Sequence, residues 1–102
     1  MDKMQRILDM LETRQNDAFL LYALAKEYEK AGEKEKALET FLELRSLHPD
    51  YTGFYYHLGK LYEQLGQPQQ ALATYEEGMQ RCKAVGDQHA FSELRTAADD
   101  LM

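Results

Sequence analysis

Apolar positions along the chain recur at helical spacing and are interrupted at regular intervals. Leu21, Leu24, Ala25 and Tyr28 fall at i, i+3, i+4 and i+7, one stripe of a helix with 3.6 residues per turn. Gly32 then supplies a residue that tolerates the left-handed conformation ending a helix. Ala37, Leu38, Phe41, Leu42 and Leu44 restart the stripe, and His48-Pro49-Asp50 breaks it. The order then repeats. Tyr55, Leu58, Gly59 and Tyr62 form a stripe, Gly66 ends it, and Ala71, Leu72, Tyr75 and Met79 form the next, with Pro68 at its start, where a missing N–H is harmless. Asp50 or Thr52 is available to cap the helix that opens the second set.

The recurrence is a duplication. With residues 18–51 aligned on residues 52–85, an offset of 34, ten columns are identical: Tyr22/Tyr56, Leu24/Leu58, Lys26/Lys60, Tyr28/Tyr62, Glu29/Glu63, Gly32/Gly66, Ala37/Ala71, Leu38/Leu72, Thr40/Thr74 and Glu43/Glu77. Chance gives about two at ordinary residue frequencies. Small residues at Ala25, Gly59, Ala37 and Ala71 let paired helix axes approach closely, and leave Phe41 and Tyr75 to fill space between neighbours.

This spacing resembles the tetratricopeptide repeat family, whose pattern of Trp, Leu-Gly, Tyr, Ala, Phe and Pro is met by Leu21, Leu24-Ala25, Tyr28, Ala37, Phe41 and Pro49. The second unit supplies Tyr55, Leu58-Gly59, Tyr62, Ala71 and Tyr75, with Lys83 in place of proline. Leu21 and Tyr55 depart from the family's Trp, and Gly78 stands in the column of Leu44. Lys83 implies that the last repeat helix runs on past the usual break.

The ends extend the reading. Ile7, Leu8 and Met10 lie 34 positions before Phe41, Leu42 and Leu44, so residues 2–13 read as the second helix of a preceding half-unit, packed on Leu21 and Leu24. Beyond Gly86-Asp87, Ala90, Phe91, Leu94, Ala98 and Leu101 space as a helix out of register with a third unit. This is a capping helix, with Gln88, Glu93, Arg95, Asp99 and Asp100 on a solvated outer face. The expected fold is all-α: an α-solenoid of two helix-turn-helix units flanked by a helix at each end, six helices in one domain spanning residues 1–102. The resemblance implies an antiparallel right-handed stack.

Charge and composition narrow the function. Eighteen acidic and twelve basic side chains leave −6, which argues against nucleic acid as a partner, since phosphate binding runs on clustered Lys and Arg. One cysteine, Cys82, excludes an internal disulfide and reads as a small buried hydrophobe, while His48 reads as a loop residue. No apolar run approaches the roughly 20 residues that span a bilayer, and the first residues lack a signal peptide's apolar core. A cytoplasmic protein with no membrane association is expected. His48, His57, His89 and Cys82 have no metal-ligand spacing, no glycine-rich phosphate loop occurs, and no cofactor, metal or catalytic group is expected.

A second stripe is left over. Tyr22, Lys26 and Glu29 recur as Tyr56, Lys60 and Glu63 at i, i+4 and i+7, off the core stripe, and the fold does not require them. In the family the first helices line a concave groove that binds peptides. Carried over, that groove presents Phe19, Tyr22, Ala23, Lys26, Glu29 and Lys30, then Gly53, Tyr56, His57, Lys60, Glu63 and Gln64. Some family members clamp a C-terminal carboxylate with Lys, Asn and Arg. Tyr22, Lys26 and His57 in those columns, and the missing third-unit helix, do not reproduce that clamp. An aromatic or acidic segment fits Tyr22, Tyr56, Lys26, Lys60 and His57 better. The competing reading makes Lys26–Glu29 and Lys60–Glu63 simple surface pairs, worth a few tenths of a kcal/mol, and makes the tyrosines packing rungs. The expected role is non-enzymatic binding of a protein or peptide. Its rival is self-association, as a homodimer or a piece of a longer array.

Overall fold

The computed structural model describes residues 2–102, and these form six α-helices and no strand. In chain order they are α1 (Lys3–Thr13), α2 (Ala18–Lys30), α3 (Lys34–Leu47), α4 (Tyr55–Gln64), α5 (Pro68–Val85) and α6 (Gln88–Asp99). By their contacts the helices fall into two units that meet in sequence at Pro49 and Asp50, with α1–α3 in the first and α4–α6 in the second. The expected all-α repeat fold is what forms.

In the first unit α2 packs on both α1 and α3. Each of the first two helices starts on an aspartate whose carboxylate accepts from a backbone N–H three residues on: Asp2 from Gln5 at 2.8 Å and Asp17 from Leu20 at 2.9 Å. α1 buries Ile7, α2 buries Leu20, Leu21, Leu24 and Ala25, and α3 buries Ala37, Thr40, Phe41 and Leu44. Leu20 belongs to this core although its position lies outside the stripe read from sequence. The hydroxyl of Thr40 is satisfied by the carbonyl of Lys36 one turn back, at 2.9 Å. Gly32 adopts φ 78°, and the Glu33 N–H closes on the Tyr28 carbonyl at 2.9 Å, which satisfies an orphan carbonyl at the end of α2. His48 stops α3, and its Nε2 donates to the carbonyl of Asn16.

The second unit is built alike, with α5 against α4 and α6, and α4 touching α6 as well. Gly66 repeats the helix stop at φ 75°, with the Gln67 N–H on the Tyr62 carbonyl at 2.9 Å. The start of α4 corrects the sequence reading, because neither Asp50 nor Thr52 caps it. Thr52 donates instead to the Asp87 carboxylate at 2.6 Å, and Asp50 lies 3.3 Å from the guanidinium of Arg81. A tight 3-10 turn, Thr52–Phe54, leads into the helix in place of a cap. It carries Phe54 into the core, where its ring stacks on Tyr55 with centroids 4.0 Å apart. Both rings are fully buried, each worth about 1.5–3 kcal/mol.

α5 runs to Val85, as the missing proline implied, and buries Cys82 on its extension. Gly78, the mid-helix departure, has a steric purpose. A Cβ there would lie 2.6 Å from Cβ of Tyr55 and 2.8 Å from Cδ1 of Leu94, so the bare backbone lets both side chains close on α5. α6 starts on Asp87, which accepts the Ala90 N–H at 3.1 Å, and buries Leu94, Ala97 and Ala98.

Candidate binding surface on the first helices

The residues singled out for binding are carried by α2 and α4. Phe19 opens α2 and is 65% exposed. Tyr22, Lys26 and Glu29 follow along the helix, all half-buried. Lys26 Nζ stands 3.6 Å from Glu29 Oε1, the i, i+3 pair read from sequence. That separation exceeds a hydrogen bond, and Glu29 Oε1 is buried with no hydrogen-bond partner. Burial raises the Glu29 carboxyl above its ordinary value, and the Lys26 charge opposes the rise.

On α4 the matched residues are Tyr56, His57, Lys60 and Glu63, again half-buried. Lys60 Nζ lies 3.6 Å from Glu63 Oε2 and 5.5 Å from the Tyr56 ring centroid, a cation–π distance. Tyr56 meets His57 edge-on at 5.6 Å, and its ring is tilted against that of Tyr75 at 6.5 Å. Here the sequence reading needs a second correction. Glu63 is not surplus to the fold, because its carboxylate takes the hydroxyl proton of the fully buried Tyr75 in a short hydrogen bond. Burial first, and that bond second, push the Tyr75 phenol far above its ordinary value.

Tyr56 and Lys60 open onto a cleft of about 240 Å³ between α4 and α6, lined on the other side by Glu93, Thr96, Ala97 and Asp100. Sequence periodicity assigned Glu93 and Asp100 to a solvated outer face, and both are exposed. The contact of α4 with α6 nevertheless turns them toward Tyr56. Periodicity within one helix identifies a polar face but not the helix that face confronts.

A larger cleft, about 460 Å³, lies at the α5–α6 turn and is lined by Cys82, Lys83, Asp87 and Phe91 among others. Lys83 Nζ sits 5.6 Å from the Phe91 centroid. Burial, aided by the Asp87 charge, raises the Cys82 thiol, which keeps it protonated and a poor nucleophile. Asp87 is held below the ordinary carboxylate range by the Thr52 hydroxyl and the Ala90 N–H. Among the described residues no group of three or more His, Cys, Asp or Glu is arranged to hold a metal ion. No described helix is long and apolar enough to cross a membrane.

Paired antiparallel helices, repeated at 34 residues and leaving a polar–aromatic stripe on the first helix of each pair, define a helical repeat protein. Tetratricopeptide repeat models match residues 18–61 and 52–84. A tetratricopeptide repeat domain protein from Salinibacter ruber is similar at 44% identity. Its crystal structure superposes with a TM-score of 0.80 over 83% of this chain and 94% of that one. Its solution structure gives 0.81 over 83% and 86%. A protein from Bordetella parapertussis, 24% identical, shares the fold with a TM-score of 0.84 over 99% of this chain and 88% of that one. No curated protein matches the chain. The chain belongs to the tetratricopeptide repeat family, whose members generally mediate protein–protein interaction on a typically non-catalytic fold.

Proposed function

We propose that this chain binds a peptide or protein segment on the first helices of its repeats, through Phe19, Tyr22, Lys26 and Glu29 on α2 and Tyr56, His57, Lys60 and Glu63 on α4. The observation that carries this reading is the α4–α6 cleft, onto which Tyr56 and Lys60 open. Tyrosine combines large apolar area with a polar tip and few rotatable bonds, which makes it a favoured anchor in protein interfaces. Residues 1–102 act in this reading as a single domain.

The test is the double substitution Tyr22→Ala and Tyr56→Ala. Both side chains are half-buried, so the helical content by circular dichroism should stay close to that of the parent. Partners captured by the parent chain should be lost from the variant. Undiminished capture by a folded variant would remove the groove from consideration.

A second copy of the chain is the alternative partner. Phe19 at 65%, Leu47 at 42% and Met10 at 39% exposure are large apolar side chains in contact with water in the first unit. Light scattering at high micromolar concentration separates the readings, since a strict monomer excludes self-association.

A further inference from the structure

We infer that the α4–α6 cleft receives an arginine or lysine side chain from a basic segment of the partner protein. The inference rests on the groove reading and specifies the chemistry of its occupant. The charges lining the cleft do not balance. Among the described residues that line it, Lys60 is the one cation, and it is already engaged by Glu63 at 3.6 Å and by the Tyr56 ring. Across from it stand Glu93 and Asp100. Glu93 has the His89 ring 3.8 Å away, one turn earlier on the same helix. Asp100 has no cationic partner among the described residues. Two carboxylates therefore face an opening whose own positive charge is spoken for.

The shape of the lining agrees with a long cationic side chain. Tyr56 and Ala97 offer apolar surface for a methylene stem, while Glu93, Asp100 and the Thr96 hydroxyl offer acceptors for the charged head. The wider field points the same way. From Asp50 onward the sequence holds eight carboxylate side chains against four Lys and Arg, so this unit carries −4 of the chain's −6. A basic segment would be drawn to it, and an acidic one repelled. The aromatic or acidic occupant expected from Lys26 and Lys60 leaves out α6, whose carboxylates reverse the local sign.

The experiment is an NMR titration of the ¹⁵N-labelled full chain with three blocked tripeptides, alanine flanking arginine, glutamate or leucine, each taken to millimolar concentration. The arginine peptide should shift the amides of Tyr56, Lys60, Glu93, Thr96, Ala97 and Asp100, and added salt should weaken it. The double variant Glu93→Gln, Asp100→Asn changes only exposed side chains and should bind that peptide roughly fivefold more weakly, as loss of partly screened charge pairs implies. Shifts at these amides with the glutamate or leucine peptide but not with arginine would overturn the basic occupant and leave the groove standing. No shift at these amides with any of the three would overturn both. Unchanged arginine binding by the double variant would likewise overturn the role of the two carboxylates.

Discussion

The two repeat units share ten matched residues yet close their helix pairs in different ways. In the first, Ala25 and Phe41 are both fully buried, and Glu29 keeps a buried carboxylate oxygen without a hydrogen bond. In the second, the matched residues are Gly59, Tyr75 and Glu63. The Tyr75 ring occupies the space that a Cβ on residue 59 would need, with Cε1 only 2.1 Å from that point. Its hydroxyl reaches past to Glu63. A glutamate identical by descent is therefore a poorly solvated ion in one unit and the anchor of a core tyrosine in the other. Identity between repeats does not establish identity of role; the residues facing each copy decide it.

The largest effect should come from giving the second unit the first unit's alanine. Gly59→Ala drives a methyl into a fully buried ring, and the expected loss is about 3 kcal/mol or more by urea denaturation, at or above the usual range for overpacking. The reciprocal Ala25→Gly should cost only about 1 kcal/mol, chiefly through backbone entropy. Adding Tyr75→Phe to Gly59→Ala releases the ring from Glu63 and should recover part of the loss, since Phe41 tolerates Ala25 in the first unit. Equal costs for Gly59→Ala and Ala25→Gly would show that the ring contact does not distinguish the units.

Tyr75→Phe alone tests the anchor. It removes a hydroxyl bonded to a carboxylate, worth about 1.5 kcal/mol, and should lower Tm by about 8 °C for a chain of this size. Phe41 has no hydroxyl to lose, so Phe41→Leu in the first unit reports packing alone. Asp87→Ala should follow at about 1 kcal/mol, because it deletes the cap of α6 together with the acceptor of the Thr52 hydroxyl.

These residues also mark how far the sequence could be read. The 34-residue offset, the glycine stops and the apolar stripes located all six helices, because each depends on chemistry local to one helix. The long-range pairings escaped. Thr52 reads as a cap until Asp87, 35 positions away, is seen to take its hydroxyl. Gly78 reads only as a departure from the column of Leu44 until Tyr55 and Leu94 are seen to close over it. Glu63 reads as a surface pair with Lys60, since nothing local links it to Tyr75. Glu93 and Asp100 read as solvated because their partner surface lies on α4. The candidate binding residues on α2 and α4 stand out in the sequence through their repetition, but the charge that surrounds Tyr56 and Lys60 required the neighbouring helix.

The smallest predicted effect reads the contrast between the units through pH. Glu29 has its folded value raised above the ordinary 4.5, with burial the leading cause. The folded state then binds the proton more tightly than the unfolded chain. The penalty for burying the charge is complete above the raised value and is relieved as pH falls toward 4.5. Asp87 has the opposite sign. Its folded value lies below 3.8, so its contribution is present above 3.8 and is lost as pH drops through the depressed value. Glu29→Gln should therefore raise stability at pH 7 by about 0.5 kcal/mol or less, since it removes the buried charge but also the Lys26 attraction. That gain should shrink as pH approaches 4.5. The deficit of Asp87→Ala should instead hold steady across the same range and close only in stronger acid. Urea denaturation of both variants and the parent at intervals from pH 7 to pH 3 makes the check. A Glu29→Gln difference that does not change with pH would mean that the charge on Glu29 costs the first unit nothing, and the contrast with Glu63 would reduce to the Tyr75 hydroxyl alone.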